Sequence, residues 1–136
     1  MKVLFDANVV LDVYLDRAPW ASDSKAAFQL ALDGKIEGYL SAISFTTIYY
    51  LLRKQVGSAL ALNYVIKALT LFRVAEVDYL VLSAAARVAG SDFEDHVQAS
   101  SAELASLDAI VTRDPAGFRE ATLRVLAPGE LAALVK

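Results

Sequence analysis

The opening stretch, Lys2-Val3-Leu4-Phe5-Asp6-Ala7-Asn8-Val9-Val10-Leu11-Asp12, constrains the fold more than any other part of the chain. Val3, Leu4 and Phe5 are a short apolar run with no turn residue, which reads as a strand buried on both faces. Asp6 ends the run. Asn8 is a suitable helix N-cap, and Val9, Leu11, Asp12 and Val13 begin a helix. A carboxylate thus stands at the carboxyl end of a buried strand, the edge where open α/β sheets place ligands. A charge there is costly without a partner, and a metal ion is one such partner. Capping of the helix by Asp6 is the other reading of the same residues.

The rest of the chain alternates in the same way. Helices are expected over about Ala21–Leu32, from Ser44 as N-cap to Lys54, over Ala59–Phe72, Tyr79–Ala89 and Asp92–Ala105, and over Glu130–Val135. Strands are expected at Ile36–Ser41, Val74–Val77, Ala109–Val111 and Leu123–Leu126. Strands alternating with helices predict an α/β protein: a three-layer α/β/α sandwich with a central parallel sheet of about four or five strands. At 136 residues the chain is expected to be a single domain spanning 1–136. Trp20 and Phe28 are expected in the core, Tyr49 and Tyr50 half in it, and Asp12 and Asp16 in solvent.

The net charge of −3 excludes binding of nucleic acid through bulk charge; any such contact must come from a local cluster or through metal ions. One histidine and no cysteine exclude a multi-histidine or thiolate zinc site. No apolar run approaches a membrane span. Met1-Lys2 leads straight into the first strand, so no signal peptide is expected, and a cytoplasmic protein is the simple inference.

Three places put carboxylates at strand ends or helix starts: Asp6, the group Asp92-Glu94-Asp95, and Asp114. Asp114 repeats the pattern of Asp6, an apolar strand ending in an acid. If the two strands are neighbours in a parallel sheet, both acids project at one edge. Asp95 is followed by Ala99 and Ala102, small residues that let its helix approach the sheet. Convergent carboxylates repel one another unless neutralised, and Mg²⁺ or Mn²⁺ does this with oxygen ligands and retained waters. Such ions activate water and stabilise charge on a phosphodiester. Asn8 and Thr112 are placed to hydrogen-bond the ligands. Asp92 is the best candidate for a pure helix cap. His96 is read as a surface or packing residue.

These blocks resemble a PIN domain, the fold of many bacterial ribonuclease toxins and RNA-processing nucleases. The resemblance rests on Phe5 to Asp12, on Asp95-His96-Val97-Gln98-Ala99-Ser100-Ser101-Ala102, and on Ile110-Val111-Thr112-Arg113-Asp114 with Phe118 after it. Ser41-Ala42-Ile43-Ser44, Tyr49 to Lys54 and Asp92-Phe93-Glu94-Asp95 are similar to one prokaryotic branch of that family. The resemblance implies a Rossmann-like parallel sheet, acids clustered around Mg²⁺ or Mn²⁺, and metal-dependent hydrolysis of RNA. It places Asp6, Asp95 and Asp114 at the catalytic metal site, with Asn8 and Thr112 in support. Two positions depart from the family pattern. The usual glutamate after the second strand is absent, and Thr47 falls in its slot; the acid usual before Phe118 is Gly117. Asp92 and Glu94 are the extra acids available to compensate.

Arg53, Lys54 and Arg113 are the candidates for RNA phosphate contact. The leading expectation is a metal-dependent ribonuclease, the toxin of a toxin–antitoxin pair, with an antitoxin partner; the resemblance also implies a homodimer, for which the apolar hairpin from Tyr49 to Phe72 is either the surface or a part of the core. The alternative is a catalytically weak or inactive module that binds RNA or a protein. A phosphoacceptor α/β domain also gathers acids at strand ends, but no well-placed lysine supports one here.

Overall fold

A computed structural model describes every residue except Ala89, Ser91 and Lys136. Its elements in order are β1 (Lys2–Phe5), α1 (Ala7–Tyr14), α2 (Ala21–Leu32), β2 (Glu37–Ser41), α3 (Ala42–Val56), α4 (Ser58–Leu71), β3 (Arg73–Ala75), α5 (Tyr79–Ala86), α6 (Phe93–Leu104), β4 (Ala109–Val111), a 3₁₀ helix (Pro115–Phe118), β5 (Arg124–Leu126) and α7 (Pro128–Leu134). The five strands pair in the order β3-β2-β1-β4-β5, and every pairing is parallel.

Strand periodicity divides the core. Val3 and Phe5 of β1 and Val111 of β4 point to a large core shared with α1, α2, α3 and α4. Leu4 and Ile110 point the other way, to a smaller core with Ala99 and Ala102 of α6 and with Phe118. Three layers result, as the alternation of short apolar runs with helical segments predicts. The chain builds outward from β1 to β2 and β3, then returns to the other side of β1 for β4 and β5. That reversal leaves a crevice between β1 and β4 at their carboxyl ends.

Several local expectations need correction. Ser44 is buried inside α3 rather than capping it; the helix starts earlier, with extended Ser41 as its N-cap residue. Asp6, not Asn8, caps α1, and its carboxylate accepts the Asn8 backbone N–H. Trp20 is 41% exposed, and Tyr50 is exposed too. Asp12 is fully buried. α5 is described to Ala86; the expected helix end at Ala89 and the restart at Ser91 lie outside the described residues. Phe28 is in the core as expected.

Gly38 shows how closely one face of the sheet is packed. A Cβ at this position would lie 2.9 Å from two ring carbons of Phe72 and 3.2 Å from the Ala31 Cβ. Phe72 is held there edge-on by Phe5, with centroids 5.1 Å apart, and by Phe28 at 5.6 Å. The ring therefore has little room to yield. Gly38→Ala is expected to destabilise the protein by about 1–3 kcal/mol through overpacking. Urea unfolding of the two proteins checks this, with the midpoint falling and the slope unchanged.

Candidate functional site

The carboxyl ends of β1 and β4 bring distant residues together. Phe5 pairs with Val111, and the Asp6 backbone N–H donates to the Val111 carbonyl at 2.9 Å. This register sets the Asp6 carboxylate beside Thr112. Thr112 Oγ1 donates to Asp6 Oδ2 at 2.8 Å, and the Asp114 N–H donates to the same hydroxyl oxygen at 3.0 Å. From α6, Gln98 Nε2 donates to Asp6 Oδ1 at 3.4 Å, and Ser44 Oγ donates to Gln98 Oε1. Asp6 is buried within this cage. Burial pushes its carboxyl above the usual range, against the opposing hydrogen bonds from Thr112, Gln98 and Asn8 and the charge of Arg113.

Asp95 enters from the first turn of α6. Its N–H is held by Asp92 Oδ1 at 3.1 Å, so Asp92 is the expected helix cap. Its carboxyl is pushed up from 3.8 to about 8, first by burial and then by the negative charges of Asp6, Asp92 and Asp114. Beside it, Glu94 Oε1 accepts a hydrogen bond from Thr47 Oγ1 of α3 at 3.3 Å. A cavity of about 220 Å³ opens among Asp6, Asn8, Thr47, Glu94, Asp95 and Gln98. Asp92 also reaches it, and none of its described lining residues is basic. Asp114 lies outside this cavity, yet near enough to Asp95 to contribute to its raised proton affinity.

The donor set has the chemistry of a hard-cation site: carboxylate and amide oxygens with room for water. Among the described residues, no group of three or more Asp, Glu or His side chains is placed to hold a metal ion. A Mg²⁺-like ion does not need one, because it keeps several waters and takes one or two carboxylates. Asp6 and Asp95 could take that role, and Glu94 also lines the cavity.

A second acidic centre lies behind the first and has the opposite character. Asp12, buried in α1, receives Arg17 Nε on Oδ1 and Arg113 Nε on Oδ2, each at 2.9 Å, and Ser24 Oγ at 3.1 Å. Arg113 stacks on Trp20 with its Cζ 3.8 Å from the ring centroid. Arg17 also donates to the carbonyl and the side-chain oxygen of Asn8, at 3.2 and 3.4 Å. Arg113, a candidate for phosphate contact, is thus an anchor between β4 and α1. Arg53 and Lys54 remain exposed at the end of α3, over the Tyr50 ring. Sequence reasoning missed Asp12 and Gln98. The available signal for Asp12 was a first helix apolar on nearly every side, which must be buried all round.

A parallel α/β/α sandwich with an acid-lined crevice where its strand order reverses defines a recognisable class. The chain belongs to the PIN-domain family, whose model matches residues 2–116. No curated protein matches it closely enough in sequence to count as a relative. Among solved structures it is similar to FitAcB from Neisseria gonorrhoeae, with 25% identity, a TM-score of 0.67, and 93% of this chain and 97% of that one covered. It is similar to VapBC2 from Rickettsia felis bound to a promoter DNA fragment, with 12% identity, a TM-score of 0.69, and 93% and 98% covered. The Mycobacterium tuberculosis toxin VapC20, described as cleaving the sarcin–ricin loop, shares 14% identity with a TM-score of 0.64, over 79% of this chain and 86% of that one.

Two outcomes follow from the paired and unpaired acids. Asp95 holds its proton more tightly in the folded chain than in the unfolded one, so its contribution to stability is complete below the ordinary value of 3.8 and is lost as pH rises towards about 8. Buried Asp6 shifts in the same direction. In chelator, the Tm is expected to fall as pH is raised across that window, and Asp95→Asn to flatten the slope; thermal melts across a pH series measure it. Asp12→Ala strands two guanidinium groups and is expected to cost about 3 kcal/mol, the low end for a broken buried pair because both arginines reach solvent. Denaturant titration reads that loss.

Proposed function

We propose that this PIN domain is a divalent-cation-dependent ribonuclease and the toxin of a toxin–antitoxin pair. The observation that carries the reading is the cavity that holds Asp6, Glu94 and Asp95 with no basic side chain lining it among the described residues. Mg²⁺ or Mn²⁺ would be held by Asp6 and Asp95, with Glu94 and Asp114 at its margins. When bound, such an ion supplies Lewis-acid chemistry that offsets charge building on a phosphodiester under attack by water.

The chain's own residues do the rest. Thr112 and Gln98 fix the Asp6 carboxylate, so the oxygens offered to the ion are set before it arrives. The Asp95 carboxyl has a raised proton affinity, and an entering cation would favour its charged form. Arg53 and Lys54, exposed in the last turn of α3, would meet RNA phosphates. Asn8, which also lines the cavity, is held by Arg17, whose guanidinium donates to its carbonyl and side-chain oxygen.

The toxin assignment draws on solved neighbours described as a toxin–antitoxin complex and as a toxin. It draws also on α4, where Leu62, Ile66 and Leu69 are each about half exposed. Their spacing makes an apolar stripe suited to a docked helix, from an antitoxin or a second copy of the chain. A cytoplasmic site of action follows from this reading. Among the described residues no helix is long and apolar enough to cross a membrane.

A second reading, a module that binds RNA or a protein without cutting, is favoured by one observation: no three acids converge into a closed site among the described residues. Cleavage of RNA in Mn²⁺ separates the two. The wild type is expected to cut, chelator to stop it, and Asp6→Asn or Asp95→Asn to lower the rate at least about a hundredfold, as for loss of a group that stabilises transition-state charge. Binding without cleavage across several RNAs would establish the second reading.

A further inference from the structure

We propose that the exposed ring of Tyr50 is a stacking platform for an unpaired base, so that RNA enters the site as a single strand. This rests on the reading of the chain as a ribonuclease and names the substrate class.

The residues concerned share one face of α3. Thr47, Tyr50, Leu51 and Lys54 are spaced i, i+3, i+4 and i+7, which places them in one stripe along the helix. At one end of the stripe, Thr47 and Leu51 line the acidic cavity, and Thr47 donates to Glu94. At the other end, the last turn carries two cations, Arg53 and Lys54. Between them lie Tyr50, 52% exposed, and Leu51, 37% exposed. Phe45, Ile48 and Leu52 of the same helix are buried in the larger core and Tyr49 packs against it, whereas Tyr50 stands outside it.

The order along the stripe is the order of groups along a nucleic-acid strand: a place for a cation that attracts phosphate, then an aromatic face, then two cations. Lys54 is two turns beyond Thr47, about 10 Å along the helix. A single strand crossing that span presents one phosphate to the bound ion, a base to Tyr50 and a further phosphate to Lys54 and Arg53. The ring already attracts both cations, with Lys54 Nζ 4.4 Å and Arg53 Cζ 5.5 Å from its centroid. They keep positive charge beside the platform, where the backbone of a stacked nucleotide would run. A base inside a duplex is covered by its neighbours and has no free face to offer Tyr50. Stacking therefore selects unpaired RNA with little regard to sequence, because every base has a π face.

The test compares Tyr50→Phe, Tyr50→Leu, Tyr50→Ala and Lys54→Ala with the wild type. Both side chains are exposed, so all four variants are expected to melt as the wild type does. Fluorescence anisotropy of a labelled, unstructured RNA in chelator is expected to show affinity about tenfold lower in Tyr50→Ala and Tyr50→Leu, and near the wild type in Tyr50→Phe. On a blunt RNA duplex, Tyr50→Ala is expected to bind as the wild type does. The slope of affinity against salt is expected to be unchanged in Tyr50→Ala and shallower in Lys54→Ala, because only the lysine releases a counterion from the RNA. In Mn²⁺, KM for the unstructured RNA is expected to rise in Tyr50→Ala with kcat little changed. Equal losses on single-stranded and duplex RNA overturn the proposal. So does a Tyr50→Ala effect confined to the oligomeric state, read by sedimentation, which would make the ring a protein contact. If the wild type cuts RNA and Tyr50→Ala alters neither affinity nor KM, this inference fails and the ribonuclease reading stands. If the wild type binds unpaired RNA through Tyr50 but cuts none, the ribonuclease reading fails and the platform stands. If the wild type neither binds nor cuts RNA, both fail.

Discussion

The pairing of β1 with β4 is the constraint on which the site depends. It sets Phe5 opposite Val111, so that the next residues, Asp6 and Thr112, leave the sheet side by side. A carboxylate buried at that point must be hydrogen-bonded, and Thr112 and Gln98 supply the bonds from two different elements. A slip of one residue would reverse the faces of Val3, Leu4 and Phe5 and break both cores. Packing of the sheet and placement of the acid are therefore one event. The precision of the site comes from the core beneath it.

Asp12 and Asp95 show what a counter-charge decides. Asp12 is deeper, yet two guanidinium groups and a serine hydroxyl satisfy it, and it ties α1 and α2 to the loop after β4. Asp95 is nearer to solvent but faces other acids, and its proton affinity rises first through burial and then through their charges. The same functional group is structural in one place and chemically poised in the other. Perturbed carboxyls of the second kind cluster at ligand sites, which makes Asp95 a site candidate. Arg113 belongs to the first network, and its stacking on Trp20 explains why an exposed tryptophan has a fixed place.

The elements were largely legible in the chain. Short apolar runs at Val3–Phe5 and Ala109–Val111 are strands because they lack turn residues and pack on both faces. Asp78 and Asp92 cap helices as their positions suggest. Asp6 was legible as an edge carboxylate, and its neighbour Thr112 as a supporting hydroxyl. The reading of Asp12 as solvated was wrong, because one polar residue in a short helix says nothing of what packs over it. The reading of Trp20 as core failed likewise: its partner is a guanidinium from a segment far along the chain. Gln98 was not singled out, since an amide inside a helix has no local signature.

What the sequence by itself determined is the alternation of strands and helices and the edge at which Asp6 and Asp114 emerge. Periodicity and capping are local, acting over a few residues. What only the tertiary structure decided is which acids are neutralised and which are left to repel one another. Asp12 meets Arg113 across 101 positions, and Thr47 meets Glu94 across 47. Coulombic and hydrogen-bonding partners are set by distance in space, and no local pattern encodes them.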